Sequence, residues 1–183
     1  MVKDLKNMSL EELWELFPIV LVPHKKVWAE WARSEIALLS ELLVDFAPLL
    51  HHIGSTAIPE ILAKPVIDIL VELSSDIDRT CVREKMEAAG YICMSLSDKC
   101  MSFNKGYTCE GYAEKVFHIH FHASGDNDEV FFRDYLNSHP TEARAYEMMK
   151  IKLLSQYPKD RDKYTEGKTE FINRIGLMRR HKV

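Results

Sequence analysis

The 183-residue sequence predicts a mixed β-sheet flanked by helices, of the α/β or α+β class, with a helical C-terminal part. Three observations carry this. Apolar residues recur at helical spacing over 24–46, residues 66–73 form an almost unbroken β-branched run, and 116–123 alternate strictly before three helical segments. Helices on both sides of a short series of strands pack most simply as a sheet with helical cover.

Ser9 followed by Glu12 is a capping box, which predicts a short helix to about Phe17. Ile19 to Val22 is β-prone and stops at Pro23. Trp28, Ala32, Ile36, Leu39, Leu43 and Phe46 then share one helical face. A strand over 49–53 enters Gly54, and a short helix is expected over 55–62. The apolar 66–73 run suits a strand buried on both faces. Ser75 and Asp78 open a helix that ends at Gly90, and strands are expected over 91–94, 101–107 and 115–123. Helices over 128–138, 141–156 and 160–180 close the chain, separated by Pro140 and Pro158. No internal repeat or linker divides the chain, so one domain over 1–183 is expected, with its core at about 19–175.

Bulk properties narrow the functional classes. A hydrophobic fraction of 46% with 28% charged residues is ordinary for a globular protein, and a net charge of −4 gives no strong nucleic-acid signal. No apolar stretch approaches the roughly 20 residues of a membrane helix. The first residues, Met1 to Lys6, lack the apolar core of a signal peptide, and Cys81, Cys93, Cys100 and Cys109 lack zinc-like spacing. Reduced thiols and a cytoplasmic location are the expectation. The eight methionines and three tryptophans read as core. Nothing in the sequence points to an oligomeric state.

The most informative stretch is His51-His52-Ile53-Gly54-Ser55-Thr56-Ala57-Ile58-Pro59, followed by Lys64-Pro65-Val66-Ile67-Asp68-Ile69-Leu70-Val71. Gly54 at a strand end allows close approach of a ligand, while Ser55 and Thr56 offer hydroxyls and amides suited to an anion. Asp68 interrupts an apolar strand. A carboxylate there needs a metal, a cation or a dense hydrogen-bond shell. Further on, Val116, His118, His120 and His122 share one strand face, opposite Phe117, Ile119 and Phe121. Imidazole is a common transition-metal ligand and proton carrier. Tyr146-x-x-x-Lys150-x-x-Leu153 and Tyr164-x-x-x-Lys168-x-x-Phe171 place two lysines at matched positions on apolar helical stripes. Such lysines either snorkel to water or point into a cleft where phosphate would neutralise them. Arg133 pairs with a local acid such as Asp134 or meets an anion, and Lys64 lies near the same turn.

The run from His52 to Pro59 and on through Ala63-Lys64-Pro65-Val66-Ile67-Asp68-Ile69 resembles the signature of the GrpB family. Phe117-His118-Ile119-His120 and Phe132-Arg133-Asp134-Tyr135-Leu136 resemble its later blocks. The resemblance implies a polymerase-β-like nucleotidyltransferase fold, in which Gly54, Ser55 and Thr56 hold phosphate and Asp68 holds a divalent metal. Lys64, Arg133, Lys150 and Lys168 would then balance anionic charge. His118 and His120 would complete the metal site, with His120 also in acid–base chemistry. Mg²⁺ or Mn²⁺ is the implied ion, with Zn²⁺ as an alternative. Two departures stand out. Glu60 replaces the family's glycine, and Leu70 occupies the position of the second catalytic carboxylate. Glu72, the next acid on that face, lies roughly 13 Å from Asp68 along a straight strand, too far to share one ion with it.

Three readings therefore follow. The first is a protein that binds a nucleotide or other phosphorylated small molecule and transfers a nucleotidyl group. The second is a non-catalytic module of the same fold, binding a coenzyme A-like ligand or assisting a partner's folding. The third is a metal-dependent hydrolase using His118 and His120.

Overall fold

The computed structural model describes residues 5–97 and 101–180; the readings of residues 1–4 and of Cys100 lie outside them. Helices α1 (Leu10–Leu16) and α2 (Val27–Leu42) precede strand β1 (Leu49–Ile53). Strand β2 (Ile67–Leu73), helix α3 (Arg79–Ala88) and strands β3 (Ile92–Leu96), β4 (Met101–Thr108) and β5 (Gly111–Ala123) follow. Helices α4 (Asp128–Ser138), α5 (Pro140–Gln156), α6 (Arg161–Glu166) and α7 (Thr169–Arg180) complete the order.

The strands form one mixed sheet in the order β1-β2-β5-β4-β3. β2 pairs parallel with β5, and the other three pairings are antiparallel. Residues of odd number on β2 and β5, among them Ile67, Ile69, Val71, Phe117, Ile119 and Phe121, pack against Trp28, Ala32 and Leu39 of α2 and Val82 and Met86 of α3. The opposite face carries Asp68, Leu70 and Glu72 beside His118, His120 and His122. A second apolar cluster, including Ile58, Ile61, Leu136, Ala143 and Tyr146, joins α4 and α5 to the segment after β1. The Asp68 face therefore lies in the cleft between the sheet and the C-terminal helices.

Local chemistry explains most boundaries. Ser9 and Glu12 form the reciprocal capping box that starts α1. Asp78 caps α3 by accepting from Thr80 and Cys81 amides, and Pro140 occupies the first turn of α5. Four expectations are corrected. Ile19–Val22 forms no strand, because only Val22 pairs, with Ala63, between Pro18 and Pro23. The helix expected over 55–62 is a single 3-10 turn, Ser55–Ala57. Pro59 holds Ile58 extended (φ −117°, ψ 104°), and Glu60 takes φ 68°. The last helix is broken at Gly167, where a Cβ would collide with Leu153 of α5. Not every methionine is core: Trp28 and Met101 are buried, but Met94 and Met148 are exposed. Cys81, Cys93 and Cys109 are free thiols.

Glu72 fixes the loop that leads into α4. Its buried carboxylate accepts from the Gly125 amide at 2.6 Å, from Asn127 Nδ2 at 3.0 Å and from His51 Nε2 at 3.0 Å. Burial alone would raise its pKa, but these hydrogen bonds outweigh that and lower it. Glu72 is thus a structural anchor. Replacing it by alanine strands three donors, so Glu72→Ala should lose about 2–4 kcal/mol in urea denaturation. An unchanged midpoint would remove this anchoring role.

Candidate functional site

The site is assembled where three strands meet. Parallel pairing places Asp68 opposite His118 and Leu70 opposite His120, and Ile53 at the end of β1 lies opposite Asp68. Asp68 Oδ1 lies 3.4 Å from His118 Nδ1 and 3.4 Å from His120 Nε2. One ligand atom from each residue falls within 4.8 Å of the other two, a spacing that fits a metal ion. Burial disfavours the Asp68 carboxylate, but the two imidazoles outweigh it and hold its pKa well below the ordinary range. The histidines shift in opposite directions. Burial wins at His118 and lowers its pKa, whereas at His120 the neighbouring Asp68 overcomes burial and raises it. On its far side, His118 Nε2 shares a 2.7 Å hydrogen bond with the Tyr107 hydroxyl.

Gly54 touches this cluster directly. It adopts φ 71°, and a Cβ there would collide with the Asp68 carboxylate, so only glycine suits the position. Ser55 faces the helical layer, where its hydroxyl accepts from Lys150 Nζ at 3.1 Å. Thr56, expected at the phosphate, is buried instead. Its hydroxyl donates to the Val66 carbonyl at 3.2 Å and so accepts from His52 Nε2 at 3.0 Å. Burial accordingly lowers the His52 pKa to about 4.

The matched Tyr–Lys pattern has a matched geometry. Lys150 Nζ lies 4.9 Å from the centre of the Tyr146 ring, and Lys168 Nζ lies 4.9 Å from that of Tyr164. Lys150 is only 2% exposed and also donates to the Leu62 carbonyl. Burial, then the charge of Lys168, lowers the Lys150 pKa to about 7, against a smaller opposing effect of Glu147. Burial lowers Lys64 to about 8, helped by Arg161 and Lys168 and opposed by Asp68. Lys168 is lowered by burial and partly restored by Asp68. Among the described residues, Lys64, Lys150, Lys168 and Arg161 form no ion pair with an acid. Arg161 was not singled out by the sequence. It stands alone at the start of α6, and only the fold carries it to Tyr112, whose hydroxyl it meets at 2.5 Å, and to the Phe17 carbonyl at 3.0 Å.

Other expected residues stand outside this cluster. Arg133 spans Asp134 (2.8 Å) and the His52 carbonyl (2.8 Å), tying α4 to β1. His122 turns to the following loop, 3.1 Å from the Asp126 carbonyl. Leu70 is fully buried, and no carboxylate replaces it on β2. A cavity of about 560 Å³ opens beside Gly54, Asp68 and His120, closed on its helical side by Glu129, Phe132, Tyr146 and Ile172 among others.

Comparison with known proteins sets this geometry in a family. The model for "GrpB protein" matches residues 18–177. The chain belongs to the GrpB family. It is 34% identical to the glutamate-rich protein GrpB of Alkalihalophilus pseudofirmus, over 86% of this chain and 93% of that one. It is 31% identical to the UPF0157 protein YqkA of Bacillus subtilis, covering 90% of this chain but 48% of YqkA, so it spans about half of that relative's length. The crystal structure of GrpB from Enterococcus faecalis superposes with a TM-score of 0.73 at 28% identity, over 87% of this chain and 96% of that one. Cid1 in complex with its short product ApU gives a TM-score of 0.51 at 18% identity, over 75% of this chain and 42% of that one. At that identity the likeness is one of fold, and the fold is nucleotidyltransferase-like. Among the described residues, no helix is long and apolar enough to cross a membrane.

The buried lysines give the protein a pH dependence of definite sign. A lysine of folded pKa about 7 and ordinary unfolded pKa carries its full burial penalty below pH 7 and sheds it as pH rises. Without ligand, stability in urea should therefore rise from pH 7 to pH 9, and Lys150→Met should flatten that rise. Equal slopes in the two proteins would contradict the buried, charge-crowded environment of Lys150.

Proposed function

We propose that this GrpB protein binds a nucleotide or another phosphate-bearing small molecule, with a divalent cation on Asp68, His118 and His120, and that its chemistry is nucleotidyl transfer. One observation carries this reading: a two-histidine, one-carboxylate cluster adjoins Gly54, the next residue, Ser55, accepts from buried Lys150, and the charges of Lys64 and Lys168, neither paired with an acid among the described residues, are felt at Asp68. Clustered, partly dehydrated cations repel one another and favour a bound polyanion. The 3-10 turn offers no long helix dipole, so the lysines supply most of the attraction.

The residues have separable tasks. Gly54 lets a ligand approach Asp68 without a side chain between them. Lys150 positions Ser55, and Lys64 and Lys168 neutralise charge on the ligand. His118 and His120 hold the Asp68 carboxylate ionised. A bound cation would polarise a phosphoryl oxygen and offset the charge that develops during its displacement. Two imidazoles among three donors shift the preference from Mg²⁺ toward Mn²⁺ or Zn²⁺.

A second reading, metal-dependent hydrolysis, draws support from the same imidazole-rich donor set and from buried Leu70, where a second carboxylate would serve two-metal transfer. Thermal melting separates the readings. Mn²⁺ with a nucleoside triphosphate at about 100 times the dissociation constant should stabilise by about 2.7 kcal/mol, or very roughly 5–10 °C. Neither component alone should match that, and Asp68→Asn should abolish it. A shift with Zn²⁺ alone, lost in His118→Ala/His120→Ala, would favour hydrolysis. A shift with coenzyme A and no metal would indicate a non-catalytic binder, and no response to any of these would sink the proposal.

A further inference from the structure

The carboxylate that β2 lacks at Leu70 has a counterpart across the cavity. Glu129 lies in the first turn of α4 and lines the same cavity as Asp68 and His120. Its side chain is half-exposed, yet Oε2 is buried and has no hydrogen-bond partner. His122 Nδ1 lies 3.8 Å away, within ion-pair distance but beyond hydrogen-bond reach, and is already bonded to the Asp126 carbonyl. A buried carboxylate oxygen without a hydrogen-bond donor is costly, and because Glu129 also lines the cavity shared by Asp68 and His120, a cation held there would offset its charge.

The other acids near the cleft are already satisfied. Asp128 lines the cavity but pairs with Arg179 at 2.7 Å. Glu72 is saturated by Gly125, Asn127 and His51. Glu129 is therefore the wall's spare negative charge. A divalent ion on Asp68 with two neutral imidazoles would retain one uncompensated positive charge, which a second carboxylate would cancel. Glu129 does not belong to the compact ligand cluster, so it would act on such an ion from outside the set of direct ligands.

We propose that Glu129 is a positioning residue of the cation site, the second carboxylate supplied from α4 instead of β2. This rests on the cation reading of Asp68, His118 and His120. The test is Mn²⁺ binding by the intact protein, read by electron paramagnetic resonance or calorimetry without nucleotide. Outer-shell partners typically account for 10- to 100-fold in metal affinity. Glu129→Gln, nearly isosteric and checked for unchanged melting, should weaken Mn²⁺ binding by about tenfold or more, while Asp128→Asn changes it little. Wild-type affinity in Glu129→Gln would overturn the inference and leave the cation site standing. Equal weakening in both variants would also overturn it, because general cavity charge would then suffice. No Mn²⁺ binding by the wild type, with or without Glu129, would defeat the cation site itself and this inference with it.

Discussion

A single carboxylate governs the architecture of the cleft. Asp68 sits on a strand whose neighbours are almost all buried, and an ion in such surroundings must be met by groups that favour its charged form. The fold answers with two imidazoles from the adjacent parallel strand and with a glycine that leaves the carboxylate room. Moving β5 by one residue against β2 would send His118 and His120 to the apolar side. The register of the central pair and the chemistry of the site are thus the same constraint.

The cationic layer imposes a second constraint on the same space. Lys150 rises from α5 and Lys168 from the turn between α6 and α7, each over the tyrosine four residues before it, while Lys64 comes from the segment before β2. The Tyr146 face and the Leu62 carbonyl hold the Lys150 ammonium, and the Tyr164 face that of Lys168, where water is scarce. Such partners tolerate the charge without cancelling it.

Much of this was legible in the sequence because it depends on period. Alternation over 116–123 separated histidines from core aromatics, and the repeated Tyr-x-x-x-Lys spacing brought each lysine over its own tyrosine, although Lys168 lies in the break between α6 and α7 and not on a continuous helix. Asp68 stood out by its cost in an apolar run. The 55–62 segment was misread because hydroxyl residues after glycine look like a helix start, whereas Pro59 and the left-handed Glu60 end it after one turn. Arg161 and Glu129 lay beyond any local signal. Each looks like an ordinary charge near a helix start, and only packing of the C-terminal helices against the sheet gives it a place. The inward turn of Thr56 was equally hidden, since its partner, Val66, comes from the segment just before β2.

The parallel junction of β2 and β5 also bears on how the chain acquires its cleft. The β3–β4–β5 meander can close through neighbouring segments, but β5 must find β2 across the whole intervening length of polypeptide, a slow event of high contact order. Until that encounter, the aspartate and the imidazoles belong to separate, independently fluctuating pieces. The Asp68–His118–His120 cluster should consequently appear late and all at once on the folding route, and a chain arrested earlier would hold native-like hairpins yet no such cluster.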